Sequence, residues 1–229
     1  MKKNVMMRVA SALLVAVLLS TCAISGTFAK YVTSATGSDD ARVAKWGVTI
    51  TTTTEGLFAD TYENEAAIGS TAIGAGLSVD SADGADVVAP GTTGSVQFSI
   101  SGTPEVAVDV AIVMNVTKDV IIPSGTVIAT GNTLAADYTP VVFTLKDSTD
   151  AVIATGTLAQ IETGLEALSA QYNPNTELDE TYTLSWVWAF DGNDVADTYL
   201  GNVAAGIVTD ATTVTDIAFD FTITVTQIN

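Results

Sequence analysis

Two short acidic segments hold the residues of this chain whose types and spacing come nearest to chemistry: Asp80-Ser81-Ala82-Asp83-Gly84-Ala85-Asp86 and Asp191-Gly192-Asn193-Asp194-Val195-Ala196-Asp197. Calcium takes six to eight oxygens from a flexible loop, and Asp/Asn/Gly segments supply them. Asp80, Asp83, Asp86, Asp191, Asn193, Asp194 and Asp197 are therefore candidate calcium ligands. Neither segment has the EF-hand spacing or its closing glutamate, and solvated turns are the plainer reading of both. No other metal or cofactor is expected.

The rest of the catalytic vocabulary is thin. The chain has no histidine and a single cysteine, Cys22. That removes the Ser-His-Asp and Cys-His nucleophile systems together with the commonest zinc ligand. No phosphate-cradling glycine loop follows a strand and opens a helix. Paired-carboxylate hydrolysis needs two defined acids, and 26 of them single out no pair. A Lys–Asn crosslink through Lys118 or Lys146 has no pattern behind it either. The expectation is a protein that is not an enzyme.

Charge says where such a protein works. Eight Lys and Arg face 26 Asp and Glu. Three of the bases, Lys2, Lys3 and Arg8, fall in the first 29 residues, which hold no acid. The chain beyond Ala29 is strongly negative, and it repels phosphate backbones and anionic lipid. Nucleic acid and membrane surfaces are thereby excluded as partners. Residues 1–29 have the layout of a signal peptide, with a basic start, an apolar run from Val9 to Leu19 and a small-residue exit. The run is short of the ~20 apolar residues a span requires, so contact with the membrane is expected through the leader alone, before cleavage. The expected cut lies between Ala29 and Lys30, with Ala23 and Ser25 as other exits, and an uncleaved anchor as the alternative. Leu19-Ser20-Thr21-Cys22 approximates a lipidation box, although threonine fits poorly before the cysteine. Export without disulfides suits a Gram-positive surface, so the protein is expected outside the cell.

The elements that must carry these residues are mostly strands. A hydrophobic fraction of 48% against 15% charged argues for a packed core over disorder. Residues 30–45 read as an extended or mobile segment, and period-two alternation begins with Trp46, Val48 and Ile50. Residues 55–86 read as loops with a short strand near Leu77–Val79. Pro90-Gly91 turns into Val96, Phe98 and Ile100, and a long strand runs from Val106 to Val116. Further strands are expected over 119–130, 140–146 and 150–155, the last two joined by a turn at Asp147–Thr149. Thr157 and Gln160 make a capping box for a helix over about 157–170, with Leu158, Ile161, Leu165 and Leu168 on one face. Tyr182, Leu184, Trp186, Trp188 and Phe190 line one strand; Ile217, Phe219, Phe221, Ile223 and Val225 line the last. These stripes are core, as half-buried strands require. Many strands, one short helix and no βαβ alternation predict an all-β fold, a two-sheet sandwich of jelly-roll or immunoglobulin type over residues 46–229.

Four stretches carry a resemblance. They are Ser25-Gly26-Thr27-Phe28-Ala29-Lys30-Tyr31-Val32, Asp40-Ala41-Arg42-Val43-Ala44-Lys45-Trp46-Gly47-Val48-Thr49-Ile50, the Pro90-Gly91 turn, and Phe219-Asp220-Phe221-Thr222-Ile223-Thr224-Val225-Thr226-Gln227. Together they resemble the TasA/camelysin/CotN group of proteins exported through a SipW-like signal peptidase. The resemblance implies a jelly-roll-like subunit of extracellular biofilm-matrix fibres whose partner is a further copy of itself. It also implies that the segment freed by cleavage, Lys30, Tyr31, Val32, Thr33, Ser34, Ala35 and Thr36, donates a strand to a neighbour's sheet by β-augmentation. The metalloprotease-like activity described for the camelysin branch has no support in a chain without histidine. The alternative is a monomeric secreted binding, adhesion or spore-coat module, with or without calcium.

Overall fold

The structure is a computed structural model that describes residues 3–24, 41–53, 56–63 and 77–229. It divides into two units, Met1–Arg42 and Val43–Asn229. The first holds helix α1, Lys3–Ile24, built on the apolar run from Val9 to Leu19. Among the described residues no helix is long and apolar enough to cross a membrane.

The second unit is an all-β sandwich. In its first half lie β1 (Val48–Thr52), β2 (Thr61–Glu63), β3 (Leu77–Asp80), β4 (Thr93–Gly102) and β5 (Val108–Lys118). A small hairpin, β6 (Val127–Ala129) and β7 (Asn132–Thr133), precedes β8 (Val141–Asp147) and β9 (Val152–Gly156). Then come α2 (Leu158–Glu166), β10 (Ala170–Tyr172), β11 (Leu178–Trp188), α3 (Asp194–Ala204) and β12 (Ala218–Gln227). One sheet has five strands in the order β1-β4-β11-β8-β9; the other has three, β10-β5-β12; β2-β3 and β6-β7 stand as two-stranded pairs. Every pairing is antiparallel.

Alternation decides which way each strand faces. In β11, Leu178, Tyr182, Leu184, Trp186 and Trp188 are buried, and the register sets Trp186 beside Phe143 and Leu184 beside Leu145. Phe98 lies beside Tyr182 on β4, with ring centroids 5.3 Å apart. From the opposite sheet, Phe221 meets Phe98 at 5.0 Å, so aromatic contacts cross the core directly. Burying each such ring is worth about 1.5–3 kcal/mol.

The turns follow their residues. Gly91, at φ +86°, gives its N–H to the Trp188 carbonyl, and the buried Thr92 hydroxyl donates to the Ala89 carbonyl at 2.7 Å. Asp147 Oδ1 ties the β8–β9 hairpin by accepting from Thr149 N, Thr149 Oγ1 and Ala151 N. At α2, Gln160 Oε1 accepts from Thr157 N at 2.9 Å to close the expected capping box, and Leu158, Ile161 and Leu165 are buried.

Several expectations need correction. The helix ends at Glu166 instead of about 170, because Ala170–Tyr172 leaves it to pair with β5 as β10. A further helix, α3, covers Asp194–Ala204, where turns were expected. Phe190 lies beyond the end of β11 and is exposed; its ring rests over Gly91 instead of in the core. Trp46 precedes β1 and is exposed, and Ile50, although paired with the buried Ile100, is 39% exposed. Residues 61–63 form a strand, β2, inside the stretch read as loop, beside the anticipated strand at 77–80.

Candidate functional site: an open sheet edge and a helix-capped end

The two sheets are unequal, and the inequality falls on one flank. Phe221 of β12 faces β4, whereas α2 packs among β5, β8 and β9, so β12 lies towards the β1 side of the sandwich. Beyond β4 the larger sheet continues into β1; beyond β12, among the described residues, the smaller sheet has no further strand. β12 therefore pairs with β5 alone over its ten residues. Among the described residues the main-chain groups on its other side have no ladder, which is the condition for pairing with another strand.

Burial marks the same flank. The inward residues of β5, Val108, Val110, Ile112 and Met114, are at most 2% exposed. Their neighbours on β12, Phe219, Phe221, Ile223 and Val225, pack against the same core but are only half-buried. Phe58 partly shields Phe219, with ring centroids 6.5 Å apart. Asp220, Thr222 and Thr224 alternate with them on the solvent face. Half-covered apolar side chains along this edge match what an added extended segment with apolar groups at alternate positions would use.

The other place where functional groups meet is the end of the sandwich under α3. Asn193 precedes the helix, and Asp194 and Asp197 sit in its first turn, where carboxylates favour the helix dipole. Asp197 Oδ1 accepts from the Tyr138 hydroxyl at 2.6 Å and from Trp188 Nε1 at 3.1 Å. Burial, with the Asp197 bond second, pushes the Tyr138 hydroxyl well above the usual phenol range. An open hollow of about 520 Å³ lies beside this network, between the β6–β7 hairpin and the start of α3, with Ile128, Asn132, Tyr138 and Asn193 in its lining.

Asp197 thus serves as an acceptor for two aromatic side chains. Asp80 ends β3; Asp83 Oδ1 accepts from Ala85 N and Ser81 Oγ, which together lower its pKa; Asp86 borders Tyr62. Asp191 precedes the helix. Among the described residues, no three Asp, Glu, His or Cys side chains gather where they could hold a metal ion. Asp194 and Asp197 lie one turn apart on α3 behind Asp191 and Asn193, whereas Asp80, Asp83 and Asp86 lie at the end of β3 and in the turn after it.

The expected cleavage residues Ala29 and Lys30, and the expected donor segment Lys30, Tyr31, Val32, Thr33, Ser34, Ala35 and Thr36, lie outside the described residues. Sequence reasoning missed α3 and the Tyr138–Asp197–Trp188 contact. The signal for the helix was present: Asn193 as cap, acids in the first turn, and Ala196, Tyr199, Leu200 and Val203 at helical spacing. No protein-family model matches the chain, and no curated protein matches it.

Proposed function

We propose that this chain is a secreted structural subunit of extracellular fibres of a biofilm-matrix kind, with a jelly-roll-like sandwich that grows head to tail by strand donation. The observation that carries the reading is the flank of β12, a ten-residue strand that among the described residues pairs with β5 alone, above a half-buried apolar row. The occupant is the N-terminal segment, residues 30–36, of a second copy, freed when a SipW-like peptidase cuts after Ala29. Main-chain hydrogen bonds supply the affinity, and Tyr31 and Val32 are its leading apolar groups. A head-to-tail contact of this kind does not close on itself, so it propagates into a filament. The resemblance to the TasA/camelysin/CotN group supports the same reading.

Electron microscopy tests it. Protein cut after Ala29 forms filaments, protein lacking residues 30–38 stays as folded single copies, and Val225→Lys, an inward charge at the edge, blocks growth, with a melting curve to establish that it is folded. Filaments of equal length from all three would sink the proposal. A second reading, a monomeric surface-binding module, draws on the hollow beside Tyr138 and Asn193; single copies from the cut protein would favour it.

A further inference from the structure

The outward face of the five-stranded sheet differs from the rest of this acidic protein. The register aligns Thr51, Ser99 and Thr181 in one row across β1, β4 and β11. Another row runs Ser95, Ser185, Thr144 and Thr155 across β4, β11, β8 and β9. The hydroxyls of Thr51 and Ser99 are hydrogen-bonded, and those of Thr144 and Thr155 lie 3.2 Å apart. Among the described outward positions of these strands the only charges are Lys146 and Asp179, one of each sign. The protein as a whole carries 26 acids against eight bases.

We propose that this face is where copies of the chain associate side by side, separately from strand donation at β12. Like-charged molecules approach most cheaply where their surfaces are least charged, because the Coulomb cost grows with each acid brought near another. A serine or threonine hydroxyl both donates and accepts, so a lattice of them complements its own copy without needing a partner of opposite sign. Lys146 and Asp179 are opposite in sign, which a symmetric pairing can also use. With strands about 4.8 Å apart, the face spans on the order of 500 Å². A stable complex buries about 800 Å² per partner, so the contact is weak and reversible. It shows at high concentration or where strand donation has already lined the subunits up. Salt strengthens it by screening the remaining acids.

Sedimentation equilibrium of the secreted protein, at low and high salt, tests this with two variants matched in charge. Ser95→Lys with Gln97→Lys adds two positive charges to the face at exposed positions. Asp220→Lys makes the same net change on the outward side of β12, in the other sheet. Both bring the protein nearer neutrality, so indiscriminate association would rise in both. Counted in strand-donated units, whether single copies or single filaments, the expected result is an average mass that climbs at least two-fold with concentration and salt for the native chain and for Asp220→Lys, but stays at one unit for the double variant. Melting curves establish that both variants are folded. Where filaments form, the double variant keeps them single while the native chain bundles, so loss of bundling and loss of filaments are read apart. Equal association of the double variant and the native chain overturns the proposal. So does a native chain that stays single at every salt, including one that instead sediments with an insoluble neutral polysaccharide.

Discussion

The Tyr138 hydroxyl lies 2.6 Å from Asp197 Oδ1, which joins the loop ahead of β8 to the first turn of α3. The same oxygen takes the Trp188 indole N–H from the end of β11, so three segments close one end of the sandwich on a single atom.

Asp197→Ala leaves both donors without this acceptor; Tyr138 borders the open hollow, whereas Trp188 is buried. An unsatisfied buried donor costs about 1–3 kcal/mol, and Trp188 is 6% exposed. The variant is expected to melt roughly 3–10 °C lower, with Tyr138→Phe milder because Trp188 keeps its partner. A melting point unchanged in Asp197→Ala would show that the two hydrogen bonds add nothing.

Asp119 is expected to behave in the opposite sense. Its Oδ2 accepts from Leu158 N at 3.1 Å at the start of α2, but its Oδ1 is buried and has no hydrogen-bond partner among the described residues. Burial raises the pKa above the ordinary 3.8. A carboxyl raised in the folded state contributes stability fully below its unfolded pKa, and loses it as pH rises through the folded value. Asp119→Asn, which cannot ionise, is therefore expected to melt higher than the native chain at neutral pH and to match it in acid. Thermal melts at the two pH values decide it; a lower midpoint at neutral pH would refute the argument.

At Asp210 the sign reverses. Its oxygens accept from the hydroxyls of Thr213 at 2.6 Å, Thr212 at 2.7 Å and Tyr199 at 3.0 Å, and from Thr212 N. Those bonds, with the Thr213 hydroxyl foremost, hold its pKa far below 3.8. The stabilisation is present above the unfolded pKa and disappears as pH falls through the folded value. Asp210→Ala is expected to be destabilised at neutral pH, with its deficit against the native chain shrinking in strong acid. Urea melts across the acid range measure that gap, and a constant deficit would refute it.

Gly94 predicts a steric effect. A Cβ there would run into the Leu57 carbonyl and the Trp186 indole, which are themselves joined by a 2.8 Å hydrogen bond. Gly94→Ala must push this pair away from β4, at about 1–3 kcal/mol for an overpacked core. Denaturant unfolding followed through tryptophan emission reads both the loss and the altered setting of Trp186. A native-like curve and spectrum would mean that the Leu57 segment yields without cost.

How much of this was legible beforehand depends on the range of the forces involved. Alternating apolar residues located most of the strands, since a one-residue slip would turn the Phe98, Phe143 and Trp186 faces to water. Thr157 and Gln160 announced the start of α2, because a capping box closes within four residues. Its end was not legible: whether Ala170–Tyr172 prolongs a helix or joins a sheet depends on the free edge of β5, some sixty residues away in sequence. The acidic run at 191–197 is a different case, because a cap and helical spacing were there to be read. Composition suggested ligands, whereas burial of Ala196, Tyr199 and Leu200 against the core made it a helix.

The sequence by itself determined that this is a strongly acidic, histidine-free, strand-rich chain whose first 29 residues carry bases and no acid, because charge, composition and periodicity are sums over residues that no fold can alter. Only the tertiary structure decided that β12 stands at an edge, that the hydroxyls of β4 and β11 align into rows, and that Asp197 serves Tyr138 and Trp188. Each of those depends on which distant strands become neighbours, and that choice is made by packing one shared core, not by any local run of residues.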